Sequence, residues 1–212
     1  MTARPVTVVL AAGKGTRLGG PKALLAWPEA GSRPGREVPL AIAHAEARLA
    51  AESERVLLVV RQPVATALLG YVRPGIDLLV SHADDEDGPA GSLAAAAERL
   101  PTAGDALVIV TPVDTPPAAP GIVAALVARL ASDPELLAAR PLYEGRFGHP
   151  VVVRAPLLAR FRVKKPPPLR EVLGEIGPLA AAVPVDDARV RADLDTPADV
   201  VRATGAAPKF VG

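Results

Sequence analysis

Residues 6–25, VTVVLAAGKGTRLGGPKALL, carry an apolar run from Val6 to Ala12 into a segment that interleaves glycines with cations. Gly13, Gly15, Gly19 and Gly20 alternate there with Lys14, Arg17 and Lys22. Glycine has no Cβ, so the amide N–H groups of such a loop can close on phosphate oxygens. Arginine adds a forked grip and lysine a point charge. The ligand this chemistry fits is a nucleoside triphosphate. The spacing is not that of a Walker loop, which needs Gly, four residues, then Gly-Lys-Ser/Thr. It is not a dinucleotide fingerprint either: Gly13 and Gly15 match, but Leu18 stands at the third glycine. Gly19-Gly20-Pro21 also keeps a helix from starting at once. A plain structural turn after a strand is the competing reading, and the residues downstream weigh against it.

Asp114 lies in VIVTPVDTPP, just past an apolar run and between Pro112 and Pro116. A carboxylate there is a hard oxygen ligand, and it suits Mg²⁺, which takes one or two carboxylates together with substrate phosphates and waters. The alternative is an aspartate that caps a turn beside proline. Asp195, in ADLDTPADV, has the same arrangement of strand, aspartate, Thr-Pro and helix, and Asp193 shares its face if the segment is extended. Thr196 and Asp199 read as the start of that helix. Gly88-Pro89-Ala90-Gly91-Ser92 follows the acidic run Asp84–Asp87 and opens a helix whose free N–H groups suit an anion or a base edge; a simple helix entry fits equally. In Gly145-Arg146-Phe147-Gly148-His149-Pro150, His149 reads as a general base, a polar contact to a second substrate, or a histidine satisfied by backbone in a tight turn. His44, on a helix, and His82, after a strand, read as structural. Lys164 and Lys165 are placed to grip a phosphate or to sit in a solvated loop.

The elements that must position these residues alternate. Val6–Ala12, Arg55–Val60, Ile76–Val80 and Ala106–Val110 are short, mainly apolar runs of the kind that form strands buried on both faces. Between and after them, Pro39–Ala51, Val64–Tyr71, Gly91–Leu100 and Gly121–Leu130 have helical spacing, the last preceded by Pro120. Strand alternating with helix implies a mostly parallel sheet covered on both sides, with ligands at the carboxyl ends of the strands. Further on, residues 141–153 read as a hairpin turning at Glu144-Gly145 and leading into a strand. Helices are expected at Pro156–Phe161, Leu169–Glu175 and Thr196–Ala203, and a strand at Leu179–Val185, with Lys164–Pro168 a polar, proline-rich stretch. Residues 28–37 read as a polar loop and residues 205–212 as a tail that frays.

With 212 residues the chain suits a single domain over 1–204, with a nucleotide-binding half at about 1–115 and an acceptor-binding half at about 116–204. It is 50% hydrophobic but only 3% aromatic, so its core must be built from Ala, Val, Leu and Ile. Its 24 basic and 23 acidic residues give a net charge of +1, which supplies no field for a nucleic acid polymer or a membrane surface. The absence of cysteine excludes disulfides, thiolate metal sites and cysteine nucleophiles. No leader-like segment or bilayer-length apolar run is present, and the expectation is a cytoplasmic protein.

Taken in order, LAAGKGTRLGGPKALL, GPAGSLAAAAERL, VDTPP, YEGRFGHPVVV and DLDTPADV resemble the molybdenum cofactor nucleotidyltransferase-like family. The resemblance runs from residue 7 to about 201 and looks closest to the molybdenum cofactor cytidylyltransferase branch, through LAAG and the later GHP. It implies a three-layer α/β/α fold with a mostly parallel, Rossmann-like sheet of the nucleotide-diphospho-sugar transferase type. It also implies Mg²⁺-dependent transfer of a nucleoside monophosphate, favouring CTP, to a phosphorylated acceptor, favouring molybdopterin. The protein partner it implies is a molybdoenzyme or a cofactor-delivery protein. By the resemblance, Leu10, Ala11, Ala12 and Gly13 hold base and ribose, with Gly88 and Ser92 also on the nucleotide. Gly15 and Arg17 face the triphosphate and Lys22 the α-phosphate. Asp114 ligates the metal with Asp195 as second carboxylate, and Gly148, His149 and Pro150 fall on the acceptor side. Leu18 where methionine is commoner, AAAA after Ser92, and the proline-rich TPVDTPP depart from the family's pattern. They bear on the substrate rather than the reaction class. Competing functions are a guanylyltransferase, a sugar or organic-phosphate nucleotidyltransferase, a glycosyltransferase and a non-catalytic nucleotide-binding protein.

Overall fold

The computed structural model describes residues 4–28, 36–51 and 53–211. The four apolar runs become the parallel strands β1 (Val6–Leu10), β4 (Arg55–Val60), β5 (Ile76–Val80) and β6 (Leu107–Pro112), after a small antiparallel ribbon of β2 (Ala26–Pro28) and β3 (Glu37–Pro39). The sheet continues through β7 (Ala138–Tyr143), β8 (Arg146–Phe147), β9 (Val151–Arg154) and β10 (Ala180–Pro184), in the order β10-β7-β9-β6-β1-β4-β5 with β8 paired to β7. Only β8 and β9 run against the others. The helices are α1 (Leu40–Ala51), α2 (Gln62–Leu68), α3 (Gly88–Ala97), α4 (Pro120–Ala131), α5 (Leu169–Glu175) and α6 (Pro197–Thr204).

Side chains alternate across the strands, so each central strand feeds both faces. Val9, Val56, Leu58 and Val60 pack with Leu40 and Ile42 of α1 and Leu68 of α2. Ile109 and Val152 meet Val123, Leu126 and Leu130 of α4. On the opposite face Val8, Leu57, Val59, Val108 and Val110 pack with Leu93 of α3, Leu158, Phe161 and Val172 of α5. Helices thus cover both faces of a mostly parallel sheet. Among the buried core residues Phe161 is the one aromatic, as the composition requires. No helix among the described residues is long and apolar enough to cross a membrane.

Several boundaries differ from the sequence reading. The segment expected to be a helix at Pro156–Phe161 is a 3₁₀ stretch over Ala155–Phe161, with Pro156 in its first turn. Helix α3 begins at Gly88 rather than Gly91, because Pro89 fits its first turn. The hairpin turns where expected, at Glu144 (φ 47) and Gly145 (φ 73), the positive φ values that a tight two-residue loop needs. Of the loop expected at 28–37, residues 29–35 lie outside the described residues, and its two ends pair as β2 and β3.

The tail is a correction. Residues 209–211 do not fray but add a short antiparallel contact: Ala26 N donates to Lys209 O at 2.8 Å and Val211 N to Leu24 O at 2.8 Å, with Phe210 bridged to Leu25. The Phe210 ring lies over Gly20, where an added Cβ would stand 3.0 Å from Phe210 Cε1. The chain end is therefore fastened to the segment that carries Lys22. Truncation after Pro208 removes these contacts and is expected to lower the thermal midpoint by about 2–4 °C, on roughly 1 kcal/mol lost. An unchanged midpoint in a thermal melt would show that the contact contributes nothing.

Candidate functional site

Strands β1 and β6 are parallel neighbours in register, Val6 beside Val108 and Leu10 beside Pro112. The loops leaving their carboxyl ends, the glycine-rich segment and the Asp114 segment, therefore emerge side by side. Helix α1 after β1 and helix α4 after β6 pack on one face of the sheet and α3 on the other, and the loops at these strand ends border a crevice. That crevice has a volume of about 470 Å³. Its lining includes Leu10, Ala12, Gly13, Gly15, Arg17, Lys22, Gly88, Ser92, Asp114 and Asp195.

The glycine loop is held by its own backbone. Gly15 (φ 62) and Gly19 (φ 90) take left-handed conformations, and Leu18 N and Gly20 N donate to Gly15 O at 3.0 and 3.2 Å. A Cβ on Gly15 would collide with the Gly20 carbonyl, so this turn requires glycine for both conformation and space. Leu18 is buried and anchors the loop to the core. Beyond it, Lys22 is only 15% exposed, and its Nζ donates to Asp195 Oδ1 and lies 3.5 Å from Asp114 Oδ2. Arg17 is 80% exposed, with an Nη 3.7 Å from Asp195 Oδ2. Asp114 and Asp195 thus share one ammonium, and the lysine stands 173 positions from Asp195 in sequence. A backbone bond joins the two aspartate segments as well, Leu194 N donating to Asp114 O at 2.7 Å.

Asp193 joins the same field. Burial, reinforced by the negative charges of Asp114 and Asp195, holds its carboxyl above the usual carboxylate range. Among the described residues no group of three or more His, Cys, Asp or Glu is arranged to hold a metal. A cation here would have Asp114 and Asp195 as protein ligands and take the rest of its shell from phosphates and water, a donor set that suits magnesium or manganese.

Not every expected residue reaches the crevice. Ala11 is fully buried, its methyl in the core and its N–H donated to Val59 O at 2.8 Å. Gly148, His149 and Pro150 do not line the crevice. A Cβ on Gly148 would collide with the Val190 carbonyl, and His149 N donates to that carbonyl at 2.7 Å. Burial lowers the pKa of His149, the charge of Asp114 opposing, and its Nδ1 is buried without a hydrogen-bond partner among the described residues.

Residues that the sequence reading passed over also appear. Thr16 and Arg61 line the crevice beside Lys14 and Pro89, which the sequence reading had named. Arg61 follows the carboxyl end of β4 and donates to Ala83 O at 2.6 Å, bracing the approach to α3. Its position just past a strand was the available signal. On α1, buried His44 has its Nε2 2.8 Å from Thr115 O, and buried Arg48 donates to Ala118 O at 2.5 Å.

The family described as the MobA-like NTP transferase domain matches residues 7–177. The chain belongs to that family. Similar folds include Rv0371c of Mycobacterium tuberculosis H37Rv (TM-score 0.75, 22% identity, 97% of this chain and 100% of that one). A manganese complex of Rv0371c matches at TM-score 0.71 and 19% identity, over 97% of this chain and 100% of that one. CMP:2-keto-3-deoxy-manno-octonic acid synthetase complexed with CTP matches at TM-score 0.69 and 16% identity, over 96% and 97%. No curated protein matches the chain. Membership in the MobA-like family makes this a nucleotidyltransferase, on a fold these structures share.

His44 supplies a pH test of the geometry. Burial lowers its pKa from 6.5 to about 4, so the ring is neutral near pH 7. Between those values the unfolded chain binds the proton and the folded chain does not, so the stability tied to a neutral His44 is complete above about pH 6.5 and is lost as pH falls toward 4. His44→Gln is expected to flatten the fall of the thermal midpoint between pH 7 and 4, by up to roughly 3 kcal/mol of linked stability. Parallel pH profiles for variant and parent would show that His44 is not the titrating group.

Proposed function

We propose that this protein transfers a nucleoside monophosphate from CTP to the terminal phosphate of a molybdopterin-type acceptor, releasing pyrophosphate. The observation that carries this reading is Lys22, held between Asp114 and Asp195 at the mouth of a glycine loop. That arrangement supplies what a metal-bound triphosphate needs: backbone amides, cations and two carboxylates in one crevice. CTP is favoured over GTP by the LAAG opening with the later GHP. The CTP complex of a synthetase with the same fold supports the same choice.

In this reading Leu10, Ala12 and Gly13 border base and ribose, with Ala11 acting through backbone alone, and Gly88 and Ser92 close the nucleotide's other side. Gly15 and Arg17 meet the β- and γ-phosphates, and Lys22 the α-phosphate. Asp114 and Asp195 would hold a divalent cation, Mg²⁺ being favoured, whose charge neutralises the triphosphate. The acceptor's phosphate oxygen attacks the α-phosphorus in line, forming the new P–O bond as the bond to the β-phosphate oxygen breaks and pyrophosphate leaves. The nucleophile is already anionic, so no general base is required. Catalysis is positioning and charge stabilisation by the loop amides, Arg17 and Lys22. Gly148, His149 and Pro150 stand behind the acceptor side, and a neutral His149 there shapes the acceptor site rather than carrying a proton.

The test is pyrophosphate release with CTP, GTP, ATP and UTP, each with Mg²⁺ and molybdopterin. CTP-dependent release is expected. A GTP preference would move the protein to guanylyl transfer, and nucleotide binding without release would make it a non-catalytic nucleotide-binding protein. Asp114→Ala is expected to lower kcat on the order of 10²-fold or more while leaving the fold intact by circular dichroism. Near-normal turnover would remove Asp114 from the site. Lys22→Ala is expected to reduce kcat more than nucleotide affinity, and a loss confined to affinity would contradict its α-phosphate role.

A further inference from the structure

The Asp114 segment, TPVDTPPAAP over residues 111–120, contains Pro112, Pro116, Pro117 and Pro120. Proline fixes φ and donates no hydrogen bond, so this stretch is stiff locally but short of donors for its own carbonyls. Two of those carbonyls are met from α1. His44 Nε2 lies 2.8 Å from Thr115 O, and Arg48 donates to Ala118 O at 2.5 Å. Both side chains are 2% exposed and lie four residues apart on α1, so one helix face carries both. The rest of that helix, LAIAHAEARLAA, is largely alanine and aliphatic. Burying an imidazole and a guanidinium in such a face is unfavourable unless each finds a partner, and both find one in the same loop. Asp114 sits one residue before Thr115, and its own carbonyl accepts from Leu194 N at 2.7 Å, next to Asp195.

We propose that His44 and Arg48 are positioning residues, which grip the proline-rich loop from beneath and fix where the Asp114 carboxylate stands relative to Asp195. The inference rests on the reading of these two carboxylates as the metal-holding pair. Because the acceptor is a carbonyl, His44 must carry its hydrogen on Nε2. A neutral ring near pH 7 provides that donor. Glutamine provides a donor of similar reach, whereas alanine provides none. Arg48 gives a second hold further along the loop, so loss of either loosens it.

The test pairs a readout of the loop with a readout of the metal. In His44→Ala, native-state hydrogen exchange at the Leu194 amide is expected to accelerate about tenfold or more, since that amide bonds the Asp114 carbonyl. The Mg²⁺ concentration for half-maximal pyrophosphate release is expected to rise about fivefold or more, with the nucleotide KM within about twofold. His44→Gln is expected to restore most of both. If His44→Ala does not fold, Arg48→Met, which keeps the stem and removes the donor, takes the same two measurements. Exchange and Mg²⁺ dependence equal to the parent, with only a lower thermal midpoint, would reduce the pair to a structural role and overturn the proposal. If the parent releases no pyrophosphate from any nucleotide, the proposed function fails. The Leu194 exchange rate, with Mn²⁺ binding by electron paramagnetic resonance as metal readout, then still decides whether the grip exists.

Discussion

A single ammonium ties together the parts of this molecule that lie farthest apart in sequence. Lys22 is largely buried and bonded to Asp195, with Asp114 at 3.5 Å. A desolvated ammonium is unfavourable without counterions, and two carboxylates converging on one crevice are unfavourable without a cation. Each side therefore requires the other. The parallel pairing of β1 with β6 places the first two partners side by side. The bond from Leu194 N to Asp114 O brings in the third from the far end of the chain.

The surroundings of Lys22 follow from holding that triad in place. Gly15 and Gly19 turn the loop tightly enough to deliver Lys22, and buried Leu18 pins the turn to the core. The chain end crosses the next segment, through Lys209 and Val211 on Ala26 and Leu24. Beneath Asp114, α1 supplies donors that a proline-rich loop cannot supply for itself. Loops are ordinarily the mobile part of an α/β fold. Here both loops of the crevice are fastened by groups outside themselves, which a site working by positioning requires.

The strands of the central sheet were legible because they read as short, mainly apolar runs: β4, buried past Arg55, and the edge strand β5, with Asp77 exposed, lie where those runs stand. The residues of the crevice were legible where chemistry and strand ends coincide, as at Gly15, Lys22, Asp114 and Asp195. What was not legible depends on tertiary contact. Residues 209–211 have no pattern of their own and become ordered only by pairing with Leu24 and Ala26. His44 read as structural, but the loop that it and Arg48 bond from an alanine-rich helix meets them only once the chain is folded. Gly148 looked like part of a binding motif, yet the contact that demands glycine there is the Val190 carbonyl.

Sharing one ammonium also makes the contributions of these residues conditional on one another. Removing Lys22 takes away a cation and leaves Asp114 and Asp195 without it, in a field that already holds Asp193 above its ordinary pKa. Removing Asp195 instead frees Lys22 toward Asp114 and releases the nearby contact of Arg17. Single substitutions here change the state of their neighbours as well as deleting a group, so their effects will not add. The triad behaves as one electrostatic unit. The fold's task is to keep its three parts, contributed by distant stretches of chain, within reach of one another.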